Sequence, residues 1–273
     1  MKLSCLPVSF YNDIQNGDMS IGRWASIARQ EGLDAIDLSV ILISNHTSKY
    51  LNYLKNDISS EGMSVTMITT YPDFTHPDRQ RREREIEYTR YDIAISAELG
   101  AKYLRILAGQ AHPNTSVESG ISLVVDSFKQ LDEVASRHNV KLLFENHSKP
   151  SVWQYNDFSH PTDIFLEIFE KLKDTDIGIN FDTGNTLVYG DDPLPVMEQV
   201  IERIETIHVA DTAQRGKLAP VVIGEGIVPI ENIFTRLKEH GFDGWLCIEE
   251  ASGKGRAGLS AAIQAVKSKW SSA

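Results

Sequence analysis

The sequence predicts the α/β fold class, a single (β/α)8 TIM barrel occupying residues 1–273 as one domain. Three observations predict it. Short apolar runs recur along the chain, each followed by an amphipathic helical stretch. Glycine or asparagine punctuates the end of several of those stretches, just before the next apolar run. The connections that follow the runs are far longer than those that precede them, as in a barrel whose working face lies at the strand C-termini. Barrels of about 250 residues are ordinary single domains.

The apolar runs lie at 2–8, 33–38, 63–69, 101–107, 140–145, 176–182, 204–210 and 244–249, and most are rich in Ile, Leu or Val. Runs of this length read as strands. Between the first two, Ile21, Trp24, Ala25 and Ala28 fall at i, i+3, i+4 and i+7, one face of a helix. Ile86, Ile93, Ala94 and Ala97 mark the third helical face, and the charged run Asp78–Glu85 opens that helix as a solvated face. Helices run into Gly32, Gly62, Gly100, Gly241 and Asn139, residue types that tolerate the left-handed conformation. The long connections are 70–78, 108–116, 146–160 and 211–228. An open doubly wound sheet would want a Gly-rich phosphate turn after the first strand, and Ser9-Phe10-Tyr11-Asn12-Asp13 is not one.

Composition narrows the partners. Lys and Arg number 27 against 38 Asp and Glu, a net charge of −11. Such a surface repels a phosphate backbone, so no nucleic-acid partner is expected. No apolar run reaches the length of a membrane span, so no membrane partner is expected either. The segment Met1–Pro7 lacks the apolar core of a signal peptide, and Cys5 and Cys247 read as reduced thiols. A cytoplasmic location is the expectation.

The polar residues at the strand ends carry the functional signal. Side chains alternate along a strand. In 176–182, Ile177, Ile179 and Phe181 face the helices, which turns Asp182 into the barrel mouth. The same parity turns in His208 beside outward Ile207 and Val209, Glu249 beside outward Leu246 and Ile248, and Glu145 beside outward Leu142 and Phe144. It also favours Glu249 over Glu250. A single strand-end carboxylate is more often a helix cap, and a lone strand histidine more often a satisfied structural group. Four in successive strands, aimed at one mouth, are a metal-ligand set. Crowded carboxylates raise one another's pKa values, and a divalent cation relieves the repulsion. Three carboxylates and an imidazole suit Mn2+, Mg2+, Co2+ or Zn2+, and the ligand set alone does not choose among them, with manganese taken as the first expectation.

The segments Leu143-Phe144-Glu145-Asn146-His147, Asn180-Phe181-Asp182-Thr183-Gly184-Asn185, Ile207-His208-Val209-Ala210-Asp211 and Ile248-Glu249-Glu250 resemble the xylose isomerase-like barrel superfamily, in particular its sugar phosphate isomerase/epimerase branch. Gly224-Glu225-Gly226, a following helix and Gly241-Phe242-Asp243-Gly244-Trp245 extend the likeness over essentially the whole chain. The resemblance maps the metal ligands onto the same Glu145, Asp182, His208 and Glu249. It implies a small-molecule carbohydrate substrate and a homo-oligomeric state. Two positions depart. A sugar-binding histidine of the ketose 3-epimerases is Asn185 here, and an arginine six residues after the metal histidine is Gln214, with Arg215 next along.

The implied activity is an isomerase or epimerase acting on a sugar, keto-sugar or inosose. Glu145 or Glu249 removes a proton next to a carbonyl, and the metal stabilises the enediolate. The alternative is a dehydratase or lyase that loses a β-substituent after the same first step. His147 reads as a proton donor to a leaving group or as a hydrogen-bonding partner that orients a ligand. Trp153, Tyr155 and Phe158 are candidates for a lid over the sugar, or for loop packing. Asn185, Arg215 and Lys217 are candidates to bind substrate, although Arg215 and Lys217 also suit a solvated surface. His46, His76, His112 and His160 lie in or near the strand-end loops and carry no assignment. An endonuclease IV type metal enzyme would need more histidines and a basic groove. A binding protein that had lost its chemistry would not need both glutamates.

Overall fold

The structure, a computed structural model, describes residues 1–273. Eight strands form one parallel sheet: β1 (Lys2–Cys5), β2 (Ile36–Ser39), β3 (Val65–Thr69), β4 (Tyr103–Ile106), β5 (Lys141–Glu145), β6 (Gly178–Asp182), β7 (Ile204–Val209) and β8 (Trp245–Ile248). Their order is β1-β8-β7-β6-β5-β4-β3-β2. The seam between β1 and β2 is bridged by the Asp34 and Ala35 N–H groups, which donate to Leu3 O at 2.9 and 3.2 Å. Leu3 N–H donates in return to Asp34 Oδ2 at 2.9 Å. The sheet therefore closes on itself, as the repeat predicts.

Each predicted strand is present, and all eight are shorter than their apolar runs. The first stops at Cys5, because Pro7 has no N–H to give a ladder and the chain turns at Val8–Phe10. The second begins at Ile36 and extends past the predicted end to Ser39.

Ten helices surround the barrel or cover its rim. They are α1 (Tyr11–Gln15), α2 (Ile21–Gln30), α3 (Ser48–Ser60), α4 (Arg79–Leu99), α5 (Val117–Arg137), α6 (Thr162–Lys171), α7 (Asn185–Tyr189), α8 (Pro193–Val200), α9 (Ile230–Glu239) and α10 (Gly255–Ser272). Ser20, Thr47, Asp78, Ser116 and Asp192 cap α2, α3, α4, α5 and α8 by accepting a first-turn N–H. Asp78 thus has a defined task inside the charged run, while most of that run is exposed. Asn139 takes φ 56°, and Gly32, Gly62, Gly100 and Gly241 take φ of 71–80°, so the punctuation read from sequence is left-handed backbone.

Strand parity divides the interior into two cores. Leu142, Phe144, Ile179, Phe181, Ile207, Val209, Leu246 and Ile248 join the large core between sheet and helices. Met67, Tyr103, Leu143 and Cys247 pack inside the barrel with Trp245 beneath them. This apolar plug fills the barrel toward the strand starts. The inward positions above it are polar: Ser39, Thr69, Arg105, Glu145, Asp182 and His208 are all buried. No helix is long and apolar enough to cross a membrane.

Candidate metal centre

Glu145 closes β5, Asp182 closes β6, His208 is the penultimate residue of β7, and Glu249 directly follows β8. The ladder sets Asp182 opposite His208 and His208 opposite Cys247. One ligand atom from each of Glu145, Asp182, His208 and Glu249 lies within 4.8 Å of all the others. His208 Nδ1 is 2.8 Å from Glu145 Oε1 and 3.0 Å from Glu249 Oε2. Adjacent donors on one small divalent ion, each about 2.1 Å from it, stand about 3 Å apart.

Electrostatics point the same way. Burial, then Glu249 and Glu145, push the Asp182 carboxyl well above its ordinary range. Burial would lower His208, yet Glu145 and Glu249 raise its imidazole well above the usual value. Without a cation the cluster must hold protons to limit its own repulsion. A divalent ion performs that task without protonating the donors, so the donor set fits a metal.

Backbone groups orient Asp182. Its Oδ1 accepts the N–H groups of Gly184 at 2.8 Å and Asn185 at 2.6 Å, at the start of α7. Asn146 locks β5 to β6 by donating to Asp182 O at 2.9 Å and accepting Asp182 N–H at 2.8 Å.

The two glutamates are not equivalent. Arg105 on β4, fully buried, places Nε 2.9 Å from Glu145 Oε2. It also donates to Thr70 O at 2.8 Å, and its guanidinium lies 5.0 Å from the centre of the Tyr71 ring. Burial would raise the Glu145 carboxyl, but Arg105 and His208 bring it down to about 2. Glu145 is fully buried, whereas the Glu249 side chain is 24% exposed. Glu249 lines a cavity of about 150 Å³ with His147, Lys149, Asp182, Asn185 and Asp211, and Glu145 does not. Arg105 was not among the sequence candidates. Its signal was legible in part, as an arginine two residues after Tyr103 on the inward side of an apolar strand. Lys149, also missed, is the sole lysine of the 146–160 loop.

The remaining candidates separate by position. Asn185 and His147 reach the cavity. Burial brings His147 down to about 4, so the ring is neutral at neutral pH. This changes the expectation for it as a donor, because it can give up only a proton it has first taken. Trp153 is buried, but it walls a neighbouring cavity with Tyr71, Gln110 and His112. The ring of Phe158 occupies the space a Cβ on Gly120 would fill, so Phe158 packs on α5 and does not form a lid. Arg215 and Lys217 are exposed and do not line the cavity, and Arg215 donates to Gly190 O at 2.9 Å.

Asp211 organises the long loop after β7. Its carboxylate accepts N–H groups from Gly224 at 2.9 Å, Gly226 at 3.0 Å and Val228 at 3.1 Å. A Cβ on Gly226 would lie 2.1 Å from Asp211 Oδ1 and 2.5 Å from Thr212 O. Gly226→Ala is therefore expected to cost about 1–3 kcal/mol and to lower Tm by several degrees in a thermal melt.

Asp157 gives a pH-dependent prediction. Burial raises its carboxyl to about 8, against hydrogen bonds from Ser159. The folded pKa lies above the unfolded value of about 3.9. Its stabilising contribution is thus complete below pH 4 and is lost as pH rises to about 8. Asn mimics the protonated form. The Tm of Asp157→Asn, relative to wild type, is expected to climb from pH 4 to pH 8 and then level off.

A family model described as "Xylose isomerase-like TIM barrel" matches residues 25–269. The chain is 26% identical over 155 residues to an inosose dehydratase of Clostridium tetani, spanning half of each chain. In three dimensions it is similar to the probable 3-DHS dehydratase AsbF of Bacillus anthracis, with a TM-score of 0.79, 19% identity, and coverage of 98% of this chain and 99% of that one. It is also similar to D-psicose 3-epimerase of Clostridium cellulolyticum H10, with a TM-score of 0.78, 12% identity and coverage of 98% of each chain.

Proposed function

The chain belongs to the xylose isomerase-like TIM barrel family, and we propose that it is a divalent-metal-dependent enzyme that removes a proton next to the carbonyl of a keto-sugar or inosose and then eliminates water. The proteins it is similar to include an inosose dehydratase and, in fold, a probable 3-DHS dehydratase and a D-psicose 3-epimerase. The observation that favours elimination is the inequality of the two glutamates. Glu145 is buried and held by Arg105, while Glu249 alone of the pair lines the cavity. Inverting a carbon by two-base chemistry needs a free base on each face. Elimination needs only one.

When held by Glu145, Asp182, His208 and Glu249, the divalent ion supplies Lewis-acid polarisation that makes the neighbouring C–H acidic enough for a carboxylate. Glu249 takes that proton. The C–H electron pair becomes a C=C bond, the β C–O bond breaks, and the protonated Glu249 returns its proton to the departing hydroxide as water. His147 and Asn185 orient substrate hydroxyls in the cavity, and Arg105 keeps Glu145 ionised. A second reading, epimerisation, has its own support, since both carboxylates lie at one ring nitrogen of His208.

The test is product analysis in D2O with keto-inositols, keto-hexoses and keto-glycosides. A dehydrated product that absorbs as a conjugated enone supports elimination. An epimer carrying one solvent deuterium, with no dehydrated product, would overturn it in favour of two-base chemistry. Metal dependence has an independent test. Purified protein is expected to hold about one equivalent of a divalent metal, most of it lost in His208→Ala. Re-adding metal at a hundredfold its Kd is expected to raise stability by about 2.7 kcal/mol, read as a rise in Tm over the chelated protein.

A further inference from the structure

We propose that Asp37 is a positioning residue that receives the Nε2 proton of His208, directly or through one bridging water, and so fixes the ring with Nδ1 turned toward the metal. The inference rests on the metal-centre reading given above.

The two ring nitrogens of His208 have different surroundings. Nδ1 lies among the ligand carboxylates, at 2.8 Å from Glu145 and 3.0 Å from Glu249. Nε2 is buried and has no hydrogen-bond partner. A nitrogen that ligates a metal carries no proton, so the proton of a neutral ring must sit on Nε2. A buried N–H without an acceptor is costly, and metal-bound histidines almost always give that proton to a carboxylate, a carbonyl or water.

Asp37 is the complementary group. It sits inside the barrel on β2, fully buried. Its Oδ2 accepts the Ser4 hydroxyl at 2.6 Å, while its Oδ1 is buried without a partner. The ladder sets Ser4 opposite Cys247 and Cys247 opposite His208, which puts Asp37 at the level of the histidine across the barrel. Among the buried groups of the barrel interior, Glu145 Oε2 already faces Arg105. Asp37 Oδ1 is the acceptor without a hydrogen bond, and the Cys247 thiol, a weak donor, is the other group beside this carboxylate. Besides Arg105 Nε, which faces the Glu145 carboxylate, the donors without a hydrogen bond include His208 Nε2 and Asn180 Nδ2, on neighbouring strands. A carboxylate buried in a barrel core is costly unless its oxygens are hydrogen-bonded. Placed at the level of an orphan imidazole N–H, it has a task.

The experiment compares wild type, Asp37→Asn and Ser4→Ala after chelation, by titrating Zn2+ calorimetrically and recording the histidine side-chain 15N spectrum of the Zn2+-loaded protein. The wild-type spectrum is expected to show His208 protonated at Nε2 and metal-shifted at Nδ1. Asp37→Asn keeps the shape but supplies a weaker, uncharged acceptor, and is expected to weaken Zn2+ binding by about 10–100-fold with a shifted Nε2 resonance. Ser4→Ala, which loosens Asp37 without touching the ring, is expected to give a smaller loss in the same direction, and it decides the matter if Asp37→Asn does not fold. A lower Tm with unchanged Zn2+ affinity and unchanged 15N shifts would make Asp37 purely structural and overturn the proposal. Failure of the wild type itself to bind Zn2+, Mn2+, Co2+ or Mg2+ would instead sink the metal-centre reading, and the proposal with it.

Discussion

Glu249→Gln is expected to lower kcat by about 10²–10⁴-fold, the usual contribution of a positioned proton-transfer group, with little change in fold. Glutamine keeps the shape of the side chain and one oxygen for the metal but cannot take a proton. Glu249 is the partly exposed member of the pair, so Tm should fall by no more than a few degrees. Glu145→Gln separates the roles. It leaves the Arg105 guanidinium facing a neutral amide in a fully buried site, so its first consequence should be weaker metal binding and lower stability. Measuring kcat, metal affinity and Tm for both variants tests the assignment. Equal losses of kcat at saturating metal, with equal affinity, would mean that both glutamates move protons and would restore the epimerase reading.

The same inequality shows what sequence could and could not reveal. Strand parity is a local property, so Asp182, His208, Glu145 and Glu249 could be aimed at one mouth from alternation alone, and they do converge there. The left-handed stops at Gly32, Gly62, Gly100, Gly241 and Asn139 were legible for a similar reason, since each requires a residue type that tolerates positive φ. Partners across the barrel were not legible. Nothing in the sequence of β4 says that Arg105 reaches Glu145, which lies on the next strand 40 residues later. Asp37 was hidden likewise, as an inward residue in a run otherwise read as apolar packing. Loop residues fared worst. Arg215, Lys217 and Trp153 lie in strand-end loops, and a long loop folds on its own contacts, which position in the sequence does not reveal. Asp211 ties residues 224–228 back onto the barrel, Arg215 is drawn to Gly190 at the rim, and Trp153 is taken into a separate wall.

Arg105→Met is expected to be the most destabilising single change at the site, costing about 3–5 kcal/mol in the chelated protein, as when one partner is removed from a buried ion pair. The guanidinium and the Glu145 carboxylate are both almost wholly out of water. Methionine fills much of the space but leaves Glu145 Oε2 charged and unmatched, and frees Thr70 O of its donor. The carboxyl, held at about 2 by Arg105 and His208, would then rise toward the value that burial dictates. Glu145 would protonate more readily, so metal binding should weaken increasingly as pH falls, over a range where wild type still binds. Arg105→Lys should lose less, because it keeps the charge but not the fork that spans Glu145 and Thr70. The double variant Arg105→Met with Glu145→Gln separates the causes. If the penalty comes from an unpaired charge, removing that charge should recover stability relative to Arg105→Met alone, although metal affinity stays low. If stability does not recover, the contribution of Arg105 lies in packing against Tyr71 and in its bond to Thr70, and its electrostatic hold on Glu145 is minor.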